Sequence, residues 1–156
     1  MTQDQTVYVV DDEPAVARAL KRLLRAIGYT TEVFGSGKEF LDAYKPCSGG
    51  CLVADFSMPE MGGLDLQKRL ADLGHRIPIV FVTGLDDISD SERTMMMEGA
   101  VDILKKPVMP AELLAAIDEA LARDREYRQR GQFDGKLVNE KKAALFDVEN
   151  RDEVIP

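Results

Sequence analysis

The sequence predicts an α/β fold built on an open parallel sheet, and three observations predict it. Short apolar runs alternate along the chain with stretches of helical periodicity, which is the pattern of βαβ units. The runs are continuous rather than alternating, as in strands buried on both faces: Val7-Tyr8-Val9-Val10, Leu52-Val53-Ala54 and Ile79-Val80-Phe81-Val82. Each run ends in residues that carry chemistry: Asp11-Asp12, Asp55, Thr83-Gly84 and, after Val101-Asp102-Ile103-Leu104, Lys105-Lys106-Pro107.

The first strand is expected over Thr6–Val10. A helix follows from Pro14, since proline suits a first helical turn. Val16, Leu20, Leu23, Leu24 and Ile27 recur at helical spacing, and Gly28 fits a C-terminal cap. Thr31–Phe34 reads as a second, weaker strand. Ser36 and Glu39 have capping-box spacing ahead of Phe40, Leu41 and Tyr44. Cys51–Asp55 is the third strand. A loop of turn residues, Met58-Pro59-Glu60-Met61-Gly62-Gly63, leads into a third helix over about Leu64–Leu73, with Leu64, Leu70 and Leu73 facing inward. Pro78–Thr83 is the fourth strand. Asp86–Met97 fits a fourth helix ending near Gly99, and the fifth strand follows. Pro110 opens a long helix with Leu113, Leu114, Ile117 and Leu121 on one face. The stretch Arg123-Asp124-Arg125-Glu126-Tyr127-Arg128-Gln129-Arg130 then reads as a solvated helical face, with a dimer or partner contact along residues 113–128 as the alternative.

Composition narrows the function classes. At 156 residues the chain fits one domain with some length to spare. A net charge of −8 argues against nucleic-acid binding by this chain. No apolar run approaches the roughly 20 residues of a membrane span, and the polar start Met1-Thr2-Gln3-Asp4-Gln5 lacks a signal peptide's core. A cytoplasmic location is expected. Cys47, Cys51 and the single His75 do not make a zinc set, so both cysteines are expected to be reduced and structural.

Ligands of open α/β sheets bind beyond the carboxyl ends of the strands. Asp11, Asp12 and Asp55 would therefore meet at one rim with Thr83 and Lys106. Crowded carboxylates raise one another's pKa unless a cation sits among them. Mg²⁺ suits such a set because it prefers oxygen ligands, and an aspartate can act as a nucleophile toward phosphorus. Lys106 would supply further positive charge, Thr83 a hydroxyl donor and Gly84 room for an incoming phosphoryl group. Taken singly, each feature has an ordinary reading. Asp11-Asp12-Glu13 could cap a helix, Asp55 could close an Asx turn, and Lys105-Lys106 could be a solvated loop. Their coincidence at four strand ends favours a site.

These residues resemble the receiver domain of two-component response regulators over about residues 5–125. The resemblance rests on Val9-Val10-Asp11-Asp12-Glu13, on Asp55-Phe56-Ser57-Met58-Pro59-Glu60-Met61-Gly62-Gly63, on Val82-Thr83-Gly84, on Gly99-Ala100-Val101-Asp102 and on Lys106-Pro107. It implies a flavodoxin-like doubly wound five-stranded parallel sheet of order 2-1-3-4-5. It implies that Asp55 accepts a phosphoryl group from a phosphohistidine on a sensor histidine kinase or a phosphotransfer protein. Asp12, Asp55 and the Ser57 carbonyl would coordinate Mg²⁺, with Asp11 acting mainly through metal-bound water. Lys106 and Thr83 would hold the phosphoryl group. By this resemblance the chain is a phosphoacceptor, not an enzyme in its own right.

One departure stands out. The family often carries Tyr or Phe three residues before the lysine, where a ring moves on activation. Here the position is Ile103, which is stiff, and a weak or unconventional response of helix four and strand five is expected. Leu85, two residues after Thr83, would shield the path of a hydrolytic water and lengthen the phosphoryl lifetime. Of Met95-Met96-Met97, at least one is exposed, because three consecutive helical positions cannot all face a core.

Residues 126–156 are expected to be a charged helical extension and a tail or linker. Many family members continue into a DNA-binding domain, for which 131–156 is too short. The chain could be a single-domain regulator or the receiver part of a transcriptional regulator, and its start at Met1 mildly favours the former. A homodimer is compatible with either. A degenerate receiver used only as an interaction module is the competing class. A phosphatase would want an acid where Ser57 stands.

Overall fold

The computed structural model describes residues 5–46, 49–84 and 88–148, with side chains described as far as residue 130. Two compact units divide the chain, Met1–Asp124 and Arg125–Pro156. In the first, elements run β1 (Gln5–Val10), α1 (Pro14–Ile27), β2 (Thr30–Phe34), α2 (Gly37–Ala43), β3 (Gly49–Asp55), α3 (Gly63–Asp72), β4 (Ile79–Thr83), α4 (Asp90–Met97), β5 (Ala100–Lys105) and α5, which starts at Pro110. The strands form one parallel sheet of order β2-β1-β3-β4-β5. In the second unit the backbone continues α5 to Val148. Among the described residues no helix is long and apolar enough to cross a membrane.

The strand pleat divides the core in two. Val7, Val9, Cys51, Val53, Val80 and Val82 face α1 and α5, where Leu24, Leu113, Ile117 and Leu121 are buried. Tyr8, Val10, Leu52, Ala54, Ile79 and Phe81 face the other way, onto Phe40 of α2, Leu66 and Leu70 of α3 and Met96 of α4. Cys51 lies at mid-strand beside Val7 with no exposed surface. Each fully buried Leu or Phe contributes roughly 2 kcal/mol of hydrophobic stabilisation.

Several boundaries differ from the sequence reading. β3 begins at Gly49, two residues before Cys51, because Gly49 and Gly50 pair with Gln5 and Thr6 without any apolar signal. Gly50 has φ +151°, and a Cβ there would stand 1.9 Å from the Thr6 carbonyl oxygen. α3 starts at Gly63, and its inward stripe is Leu66 and Leu70. Leu64 packs partly against this cluster, but Leu73 is 57% exposed, as the C-terminal cap beyond the last helical residue. Ile27, at the end of α1, is likewise exposed. Ser36 accepts from the Glu39 amide, whereas Glu39 accepts from Gly35, so only half of a capping box forms there. The complete box is Ser89–Glu92, at the start of α4, which begins at Asp90 and not Asp86. Met96 is fully buried and its neighbours Met95 and Met97 are exposed.

The solvated reading of the charged stretch fails at Asp124. This carboxylate is 6% exposed and accepts from the Gln5 side-chain amide at 3.0 Å and from the Gly50 amide at 2.9 Å. Gln5 also donates to the Leu121 carbonyl. Cys47 lies outside the described residues.

Candidate functional site

The rim forms because neighbouring parallel strands end together. The Asp11 amide donates to Phe34 at the end of β2, the Phe56 amide to Val82 of β4, and the Lys106 amide to Thr83. These bonds fix the backbone of all five strand ends. The Lys106–Pro107 peptide is cis.

Asp11, Asp12 and Asp55 each present a carboxylate oxygen, and these oxygens all lie within 4.8 Å of one another. Asp11 and Asp55 are buried at 4% and 6% exposure, whereas Asp12 is open to solvent. Lys106 Nζ donates to Asp55 Oδ2 at 3.2 Å. Asp55 Oδ1 accepts from the Ser57 amide at 3.2 Å, and Asp11 Oδ1 from the Glu13 amide at 2.9 Å. The Asx-type turns are thus real, and they orient the same carboxylates that crowd the rim. Thr83 is buried, and its hydroxyl donates to the Gly84 carbonyl at 2.9 Å. Lys105 is exposed. Ile103 is partly buried against the α2–α3–α4 side of the core. Leu85 lies outside the described residues.

Electrostatics follow from this crowding. Burial raises the Asp55 carboxyl above its ordinary value, and Asp12 adds to the rise, outweighing Lys106 and the Ser57 amide. Burial likewise raises Asp11, against the Glu13 amide, with Asp55 and Asp12 adding to it. Burial pulls the Lys106 ammonium down, but attraction to Asp55, with Asp11 and Glu13 behind it, outweighs burial and leaves it raised. One ammonium does not neutralise three acids. The donor set is all hard oxygen, two groups buried and one wet, which fits a divalent cation that keeps part of its water.

A cavity of about 660 Å³ opens beside the rim between α1 and the β5–α5 loop, walled by Ala15, Ala19, Leu20, Pro107 and Val108. Two small α1 residues one turn apart leave this space. The sequence reading placed Gly62 and Gly63 in the loop ahead of the third helix and gave them no packing role. A Cβ on Gly62 would come within 2.7 Å of the Phe56 carbonyl, and one on Gly63 within 2.9 Å of the Asp55 carbonyl. The tandem glycines after the turn were the available signal.

Comparisons with known proteins bear on the family and the fold. The family described as response regulator receiver domain matches residues 7–118. The response regulator protein TmoT of Ectopseudomonas mendocina is 36% identical over 153 residues, covering 98% of this chain and 67% of that protein. TodT of Pseudomonas putida is 44% identical over 115 residues, covering 74% of this chain and 50% of that protein. The solved structure of the response regulator StyR superposes with a TM-score of 0.80 at 40% identity, covering 85% of this chain and 67% of that one. The chain thus spans about half to two thirds of the length of these relatives.

Proposed function

We propose, from the premise that the chain belongs to the response regulator receiver family, that it is a phosphoacceptor switch whose acceptor is Asp55. The observation that carries this reading is the Asp55 carboxylate itself: buried, crowded by Asp11 and Asp12 within 4.8 Å, and held by Lys106 at 3.2 Å. An Asp55 oxygen attacks the phosphorus of a phosphohistidine on a sensor kinase or phosphotransfer protein. The new O–P bond forms as the P–N bond breaks, and the electron pair stays with the imidazole. Lys106 already points at Asp55 and pairs with the phosphoryl oxygens as they arrive. The Thr83 hydroxyl turns from the Gly84 carbonyl to donate to the same group, and Gly84 leaves it room.

Asp12, Asp55 and the Ser57 carbonyl, with Asp11 at one remove, would hold Mg²⁺, which supplies neutralising charge at the phosphoryl oxygens. The protein assists its own phosphorylation and dephosphorylation and acts in the cytoplasm. Its output is a change of partner binding or dimerisation.

The test mixes the protein with a small phosphodonor and Mg²⁺ and weighs the product by mass spectrometry. Wild type gains one phosphoryl group and Asp55→Ala gains none. Equal labelling of the two overturns Asp55 as acceptor.

A further inference from the structure

Position 103 holds a stiff isoleucine, and a route of close contacts that does not include it runs from the end of β3 to α4. The route starts under the acceptor. The Gly63 amide donates to the Phe56 carbonyl at 2.9 Å. The Gly63 Cα approaches so closely that a Cβ would stand 2.9 Å from the Asp55 carbonyl, 3.0 Å from the Phe81 ring and 3.1 Å from Phe56 Cα. Gly62 is pressed as tightly against Phe56. No slack separates the first turn of α3 from the end of β3, so a shift of the Asp55–Phe56 backbone displaces α3.

One turn further along α3, Gln67 Nε2 donates to the Met96 carbonyl at 3.1 Å. That carbonyl belongs to the last turn of α4, where backbone acceptors lack intrahelical partners, and it also accepts from the Gly99 amide. Gly99 leads directly into β5. A Cβ on Gly99 would stand 2.8 Å from Gln67 Nε2, so glycine here makes room for the amide. Met96 itself is fully buried between α3 and the sheet. Gln67 is therefore pinned at both ends, through α3 to the acceptor strand and through its side chain to the α4–β5 junction.

We propose that Gln67 couples the acceptor to the α4–β5 junction, carrying displacement at Asp55–Phe56 through α3 to Met96–Gly99. This rests on the reading of Asp55 as acceptor. Glutamine is a positioning residue in this role: it touches no phosphoryl group, and it sets how the α4–β5 junction answers one.

The test uses the full chain, isotope-labelled, with Mg²⁺ and beryllofluoride as the phosphoryl mimic, and follows backbone amide shifts. In wild type, amides at Phe56 and Thr83 shift, and so do those of Met96–Gly99. Gln67→Leu keeps the volume and loses the donor. It keeps the Phe56 and Thr83 response and loses about half or more of the Met96–Gly99 response. Gln67→Glu, which keeps the shape and loses the donor, does the same and serves if the leucine variant folds poorly. Gly99→Ala breaks the contact from the other side, and adding it to Gln67→Leu has no further effect on the response. A merely structural glutamine would lower the melting temperature equally with and without the mimic and leave the shift differences intact. A full Met96–Gly99 response in both Gln67 variants overturns the coupling. A wild type with no response at Phe56 and Thr83 overturns the acceptor reading, and the coupling with it.

Discussion

At the carboxyl end of the sheet, Asp11 and Asp55 are buried beside Asp12, and Lys106 pairs with Asp55. At the amino end, Asp124 is buried as deeply and accepts from the Gln5 and Gly50 amides. Both ends remove carboxylate from water. The amino end does so with donors that tie α5 to β1 and β3. At the carboxyl end burial, with the neighbouring acids adding to it, outweighs the donors, so Asp11 and Asp55 resist ionising. Crowded acids mark the end proposed to take metal and phosphoryl group, and an acid held by amide donors marks the end that holds the fold.

The comparison predicts opposite signs for substitutions at the two ends. The largest effect belongs to Gly50→Ala, which forces a Cβ onto the Thr6 carbonyl at a φ of +151°. Urea unfolding should show a loss of about 3 kcal/mol or more; a loss below about 1 kcal/mol would mean that the strand yields freely. Asp124→Ala comes next. Leaving the buried Gly50 amide and the Gln5 side chain without this acceptor should cost about 2 kcal/mol in the same measurement. Phosphoryl labelling of Asp55 should be unchanged in the folded protein, and a large fall in labelling would show that the two ends are not separable.

Asp11→Asn should do the reverse and stabilise the metal-free protein by about 1 kcal/mol, the gain common on relieving a functional site. It should also weaken Mg²⁺ binding, read by titration calorimetry. Above the ordinary Asp value of 3.8, and up to their raised values, Asp11 and Asp55 hold more protons folded than unfolded. Their contribution to stability is fully present below that ordinary value and is lost as pH rises through the raised ones. The advantage of Asp11→Asn in metal-free unfolding should therefore grow with pH over this window. An advantage that shrinks as pH rises would contradict the crowding. The smallest effect is Lys38→Ala. Its pair with Asp42 is exposed on both sides, so the change should stay within about 0.5 kcal/mol, and a larger one would argue against exposure as the controlling variable.

Much of this contrast was written in the sequence, though unevenly. Buried parallel strands announce themselves as apolar runs, and Asp11, Asp55, Thr83 and Lys106 stand where those runs stop. That made the sheet and the rim legible. The strand order came from family resemblance, because periodicity does not say which strand pairs with which. Gly49 and Gly50 were invisible as strand because glycine adds nothing to a hydrophobic pattern. Leu73 looked inward because spacing cannot show at which residue a helix ends. Asp124 and Gln67 were illegible for a deeper reason. A lone polar residue on a helix reads as solvated until the tertiary fold brings a donor or a carbonyl to it from 74 or 29 residues away.

Cys51 gives the molecule a clock. Its thiol sits at the middle of the central sheet with no surface exposed, and burial raises its pKa well above the ordinary value. A thiol-alkylating reagent needs both access and thiolate, and neither exists while β1, β3 and the two covering helices stay together. Alkylation of Cys51 therefore counts openings of the sheet. Timed with and without a phosphoryl mimic, it would report whether occupying one end of the fold changes how often its centre breathes.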